Sequence, residues 1–436
     1  MTPKLVFRIS YVLTIALIGQ TLTAKAPDEP DQNSSPRLTK LVHELEAGNR
    51  QALATFWQEM KGKAPLVEPI TGAKQRSRIT FIWRGDDKTK RVSVFGGLPY
   101  ANLAKPLKRV ADTDLWFLTE DHSNDARFQY VFQINGPEKL PWKWSDMMKE
   151  IERAPPQQDP INPRNYAGWS YIELPDAPPQ PWIKKQGNPA GLMTRDKFKS
   201  KIMNAEYSLN IYTPAIYDKS EQRCWLAVGF DGGFLNMPIT LDNLLAAGKI
   251  PPLVVVGVKN INRERDLGCS DKFANFLATE LVPWARKKYR VYDDPSHTLV
   301  GGTSLGGKMA AWCGLKHSDV FGKVLSQSGS FATGAHEESA IDMWKGEAPA
   351  MVVKEFLESP RLPVEFYLEV GRYETTLPFT PGMRSELRDV AEAGRVWLVF
   401  GRRLVMSGDR AARGTALAEA GRLGFGRPRF AVRPRS

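Results

Sequence analysis

From residue 208 onward, short apolar runs alternate with longer amphipathic ones. "SLNIYTP", "CWLAVGFDGG", "PPLVVVGV", "HTLVGGTSLGG", "KVLSQSGSF" and "VEFYLEVG" read as strands. "LLAAGK", "KFANFLATELVPWARKKY" and "KMAAWCGLKH" read as the helices between them. β-Branched strands that are apolar throughout, alternating with helices, predict an α/β fold: a mostly parallel sheet covered on both faces, over 206–394. Residues 77–154 keep a different period. "RITFIWRG", "RVSVFGG", "DLWFLTE" and "RFQYVFQING" alternate apolar and polar positions between Gly, Asp and Asn turns, which predicts a small antiparallel β-sandwich. Between the two lie nine prolines in 155–189, and 155–205 reads as a linker because proline lacks a backbone donor and resists helix. Ahead of the sandwich, 25–76 reads as a polar lead followed by two short helices, broken at Gly48-Asn49.

The first 24 residues change the picture of destination. Lys4 and Arg8 precede an apolar run over 9–18, and small residues lead to a cleavage position after Ala24. This is the pattern of a secretory signal peptide, too short in its apolar part to span a bilayer, so the protein is expected to be exported, periplasmic or extracellular. The formal charge of +12 favours anionic partners. No dense Lys/Arg block with interleaved aromatics occurs in the folded body, which argues against nucleic acid. Three cysteines, Cys224, Cys269 and Cys313, do not make a disulfide framework; a Cys224–Cys269 bridge is left open. No metal-binding or nucleotide-binding spacing is present, so no metal or cofactor is expected.

The chemistry centres on "GGTSLGG", 301–307. Gly302 and Gly306 flank Ser304 at two residues each, between a strand and a helix, which is the setting of a nucleophile elbow. Ser304 is the candidate nucleophile. The backbone N–H of Leu305, at the helix start, is one candidate oxyanion donor. Gly232 and Gly233, in "VGFDGGF", supply the second, with Asp231 organising that loop. Glu374, in the loop after "FYLEVG", is the candidate acid. The base is the difficulty. The histidines are His43, His122, His297, His317 and His336. His297 opens the strand that ends at the elbow, and His317 closes the helix that leaves it, each about 20 Å away at the usual rise per residue. His336 is the candidate base by position, although the order Ser-His-acid is unusual.

These motifs resemble the enterochelin esterase family, siderophore esterases in the esterase D-like branch of the α/β-hydrolases. The resemblance rests on "ITFIWRGD", "DTDLWFLTE" and "QYVFQING", then "LNIYTPAIYD", "GFDGGF", "NRERDLGCSDKFANFLATELVPW", "VGGTSLGGKMA" and "VFGKVLSQSGSF". It implies an α/β-hydrolase domain preceded by an immunoglobulin-like sandwich. It also implies Ser304 as nucleophile, Glu374 as acid, and Arg263 and Arg265 near an anionic substrate. The substrate would be a small-molecule ester, an iron-siderophore complex among the candidates. Feruloyl or acetyl polysaccharide esters are the alternative, since other members of the branch cleave them. The family pattern ends in a "GGHDY…W" segment bearing the catalytic histidine, and here the sequence departs. Residues 395–436 hold ten arginines and neither lysine nor histidine. Such a shift is what a reading-frame change near 395 would produce; a basic tail is the rival reading. Without that histidine, a catalytically impaired ligand-binding relative stands as the alternative to an active esterase.

Overall fold

The computed structural model describes residues 35–96, 104–138, 144–166, 168–231, 237–331, 351–360, 362–370 and 395–400. In the N-terminal half, α1 (Pro36–Glu46) and α2 (Gln51–Met60) precede nine strands. These are β1 (Leu66–Pro69), β2 (Arg76–Arg84), β3 (Val92–Gly96), β4 (Lys105–Pro106), β5 (Lys108–Arg109), β6 (Leu115–Ser123), β7 (Arg127–Ile134), β8 (Asn165–Tyr166) and β9 (Trp169–Glu173). They form two antiparallel sheets, ordered β1-β2-β6-β5 and β4-β3-β7-β9-β8.

Alternation along β2 decides what each sheet face covers. Ile79 and Phe81 point into a core shared with Val94, Phe128, Tyr130 and Phe132 of the second sheet. Ile82 points the other way, onto Leu41, Phe56 and Trp57 of the helix pair. The predicted lead helices therefore pack on the outer face of the first sheet. Inside the sandwich, Tyr130 donates its hydroxyl to buried Asp159 at 2.7 Å. The backbone N–H groups of Ile161 and Asn162 donate to the same carboxylate at 2.8 and 3.3 Å.

The proline-rich stretch differs from the expected linker. β8 and β9 complete the second sheet, and β10 (Leu192–Ser200) opens the large one. The segment between them is tied down at both ends. Arg127 donates to the Pro178 carbonyl at 2.7 Å, on the sandwich side. Asn243 donates to the carbonyls of Trp182 and Lys184 at 2.7 and 2.8 Å, on the other side. Prolines lack the N–H but keep the carbonyl, so side-chain donors do the anchoring.

The large sheet comprises β10, β11 (Ala205–Thr213), β12 (Trp225–Gly229), β13 (Leu253–Lys259), β14 (Thr298–Thr303), β15 (Lys323–Gln327), β16 (Glu365–Val370) and β17 (Arg395–Phe400). Their order is β10-β11-β13-β12-β14-β15-β16-β17; β10 and β11 run antiparallel to their neighbours and the remaining pairs are parallel. This is the α/β-hydrolase order. β17 extends the sheet six residues past the boundary expected at 394, so the start of the arginine-rich stretch belongs to the sheet.

In chain order the remaining helices are α3 (Trp144–Arg153), α4 (Met237–Ala246), α5 (Arg263–Leu267), α6 (Asp271–Phe276), α7 (Val282–Lys288), α8 (Leu305–Lys316) and α9 (Met351–Glu358). Helices cover both sheet faces, as the apolar strands require. α4 lies on one face, where Met237 and Leu241 meet Tyr212, Ala227 and Val255. α6, α7 and α8 lie on the other, where Phe273, Leu281 and Met309 meet Val228, Val256 and Val300. α6 and α7 are one helical run joined by a π turn at Leu277–Leu281, just before Pro283, which has no N–H to continue the α pattern. That turn aims Glu280 at the β10–β11 hairpin, where it accepts from Ser200 Oγ at 2.5 Å and the Lys201 N–H at 3.1 Å.

Candidate active site

β12, β14 and β15 are neighbours in the sheet, and their carboxyl ends share one edge. Each runs into a backbone position with positive φ: Asp231 (57°), Ser304 (58°) and Ser328 (48°). Non-glycine residues adopt this region at a cost of about 1–3 kcal/mol each, and such costs collect at functional sites.

Ser304 stands between β14 and α8 with φ 58° and ψ −123°. The turn closes because Gly302 carries no side chain. A Cβ there would lie 2.5 Å from the Gly306 carbonyl carbon, closer than any real contact. The strained residue is held by its neighbours. Its N–H donates to the Gln327 carbonyl, and its own carbonyl accepts from the N–H groups of Ser330 and Lys308, all at 3.1 Å. Three such bonds, at about 0.5–1.5 kcal/mol each, are enough to offset the strain. The Ser304 hydroxyl makes no capping bond to α8. It lies 3.0 Å from the hydroxyl of Ser330 instead. The first amides of α8, beginning with Leu305, have no partner within the helix, and the helix dipole adds to their pull on a negative charge.

The loop after β12 flanks this point. The Asp231 N–H donates to Asn260 Oδ1 at 2.9 Å, and its carboxylate takes two bonds from Arg263, at 2.9 and 3.3 Å. Both side chains of that pair are 39% exposed. Asn260 and Arg263 thus hold Asp231 in place. Arg265 is similarly occupied: it donates to Asp266 Oδ1 at 2.6 and 2.8 Å. Asp266 is fully buried and also accepts from the Ile261 N–H at 3.2 Å. The hydroxyl of Tyr207 sits 3.4 Å from the same carboxylate, and burial first, then that charge, push its pKa up to about 12.

Of the sequence candidates, Ser304, Leu305, Arg263 and Arg265 fall on this edge. Gly232, Gly233, His336 and Glu374 lie outside the described residues. The remaining histidines sit elsewhere. His297 is at the opposite end of β14, 2.8 Å from Asp294 and stacked on Tyr292. His317 follows the last turn of α8, His122 pairs with Glu120 in the sandwich, and His43 is on α1. Sequence reasoning passed over Ser330 and Asn260. "SQSGS" did carry a signal, a second glycine-flanked serine turn after a strand. Cys224, Cys269 and Cys313 are buried and unbridged. Among the described residues no helix is long and apolar enough to cross a membrane.

Similarity to known proteins bears on what this edge does. A model of the esterase family matches residues 200–386, and a model of the enterochelin esterase N-terminal domain matches 78–183. In both parts the chain is similar to enterochelin esterases. The iron(III) enterobactin esterase of Dickeya dadantii is 28% identical to it, over 74% of this chain and 82% of that one. The iron(III) salmochelin esterase of Escherichia coli O6:H1 is 25% identical, over 82% and 91%. The crystal structure of the ferric enterobactin esterase of Salmonella typhimurium has the same fold. Its TM-score is 0.66 at 22% identity, over 85% of this chain and all of that one. The likeness thus covers both the β-rich N-terminal part and the α/β body.

Proposed function

We propose that this protein is an exported serine esterase that hydrolyses the ester bonds of a siderophore. The observation that carries the reading is Ser304. It occupies a strained turn at the carboxyl edge of the sheet, at the start of α8, with a hydroxyl that caps no helix. In this mechanism Ser304 Oγ attacks the ester carbonyl and loses its proton to a base. The Leu305 amide and the Gly232/Gly233 loop hold the oxyanion. The alcohol leaves, and water then releases the acid from Ser304. The named activities of the relatives support a siderophore ester as substrate. The signal-like residues 1–24 support export.

A second reading has an observation of its own. The described histidines all lie away from Ser304, and no histidine follows His336 in the sequence. A serine without its base keeps only oxyanion and binding contributions, so the alternative is a relative that binds the ester and turns it over several orders of magnitude more slowly. Chromatographic assay of ferric enterobactin cleavage, with feruloyl xylan in parallel, decides. Monomer release that vanishes in Ser304→Ala supports the esterase. Binding without release supports the second reading, and ferulate release in place of siderophore cleavage would sink the substrate assignment.

A further inference from the structure

We infer that Ser330 is a positioning residue for the nucleophile, donating a hydrogen bond to Ser304 Oγ; this rests on the reading of Ser304 as nucleophile. Two contacts join the residues: hydroxyl to hydroxyl at 3.0 Å, and the Ser330 N–H to the Ser304 carbonyl at 3.1 Å. Ser330 therefore grips the backbone and the reactive oxygen of the same residue.

The loop that carries it is built for this approach. After β15 the chain turns through Ser328 at φ 48° and then Gly329. A Cβ on Gly329 would lie 2.6 Å from both the Phe331 ring and Ser326 Oγ. A Cβ on Gly307, in the first turn of α8, would lie 2.8 Å from Ser326 Oγ and 3.0 Å from the Gly329 Cα. The two turns thus pack backbone against backbone, glycine against glycine. Ser326 Oγ and Thr303 Oγ1, both buried here, have no hydrogen-bond partner among the described residues. Buried hydroxyls are normally bonded, and nearby ones are not, so the bond at Ser304 is not simply the result of every hydroxyl finding a partner.

The direction of that bond follows from the chemistry. Attack requires the Ser304 proton to leave toward a base. In that geometry Ser330 can only donate. A donor to the reacting oxygen steadies its rotamer and favours the negative charge that develops on it.

The test is the rate of covalent labelling by a fluorophosphonate across a pH series, in the full chain, for wild type, Ser330→Ala and Ser330→Thr. Ser330→Ala should label about tenfold more slowly, a lost donor's worth, with its pH profile moved to the alkaline side. Ser330→Thr, which keeps the hydroxyl, should recover most of the rate. Thermal melting of all three should agree closely, which a merely structural role would not give. Equal or faster labelling of Ser330→Ala overturns the inference while leaving Ser304 as nucleophile, and so does a slow Ser330→Thr with normal melting. Absence of labelling at Ser304 in the wild type removes the nucleophile reading itself, and Ser330's role with it.

Discussion

Left-handed backbone occurs in both halves of the molecule, but only the edge of the large sheet puts serines in it. In the sandwich it falls on Asp112 and Asn135. Asp and Asn tolerate this region, and Asn135 uses its side chain to brace the turn, accepting from the Lys90 N–H at 2.8 Å and donating to the Lys88 carbonyl at 2.9 Å. At the edge of the large sheet it falls on Asp231 and also on two serines, Ser304 and Ser328. Serine has no such tolerance. Buried polar groups divide less sharply, since Gln133 Oε1 in the sandwich also lacks a partner among the described residues. Asp159 in the sandwich core collects three donors, whereas Thr303 and Ser326, beside the elbow, have no partner among the described residues. One region selects residues that suit the backbone. The other keeps residues that strain it, and local rules broken together in one place mark a site of chemistry.

That contrast is open to attack by substitution. The largest effect is expected at Ser304→Gly, which should abolish ester turnover and raise stability by about 1 kcal/mol or more as strain is released. Unfolding in urea beside an ester assay reads both; a loss of stability would mean the turn is not strained. Gly302→Ala comes next. The new Cβ must displace the Gly306 backbone, and the cost should reach about 3 kcal/mol, at the upper end for overpacking. A midpoint unchanged in urea would contradict the close approach. Asp159→Asn should act through pH. Burial, the largest influence, raises the Asp159 carboxyl above its ordinary range, against the downward pull of Tyr130 and two amides. A raised carboxyl holds its proton more tightly in the folded state, so its contribution is complete at low pH and is lost as pH climbs through the folded value. Asparagine cannot ionise. Denaturation from mildly acidic to neutral pH should show a flatter decline for the variant, and parallel curves would refute this. The smallest effect is expected at Asp112→Gly, exposed in a sandwich turn, within about 0.5 kcal/mol. A gain as large as that of Ser304→Gly would erase the contrast.

Much of this was legible in the sequence. The parallel strands announce themselves as apolar β-branched runs because both faces are buried, and the elbow announces itself because its glycines are steric necessities. What escaped reading lies mostly at edges. β10, "LMTRDKFKS", exposes most of its side chains and carries no apolar period, so it disappeared into the linker. β8 and β9 are short and flanked by prolines; β9 is held as a strand by pairing with β7, and β8 by pairing with β9. The roles of Ser330, Asn260 and the Asp231–Arg263 pair depend on contacts across 26 to 32 residues, which spacing along the chain does not encode. Arg263, read as lying near an anionic substrate, pairs with Asp231 across 32 residues, and Arg265 with its neighbour Asp266.

Strain at the sheet edge, in this reading, serves a nucleophile. Mass spectrometry of the protein after brief exposure to a fluorophosphonate tests it most directly. A single adduct is expected on the peptide that contains Ser304, absent in Ser304→Ala. An unmodified protein, or an adduct carried by another residue, would contradict it.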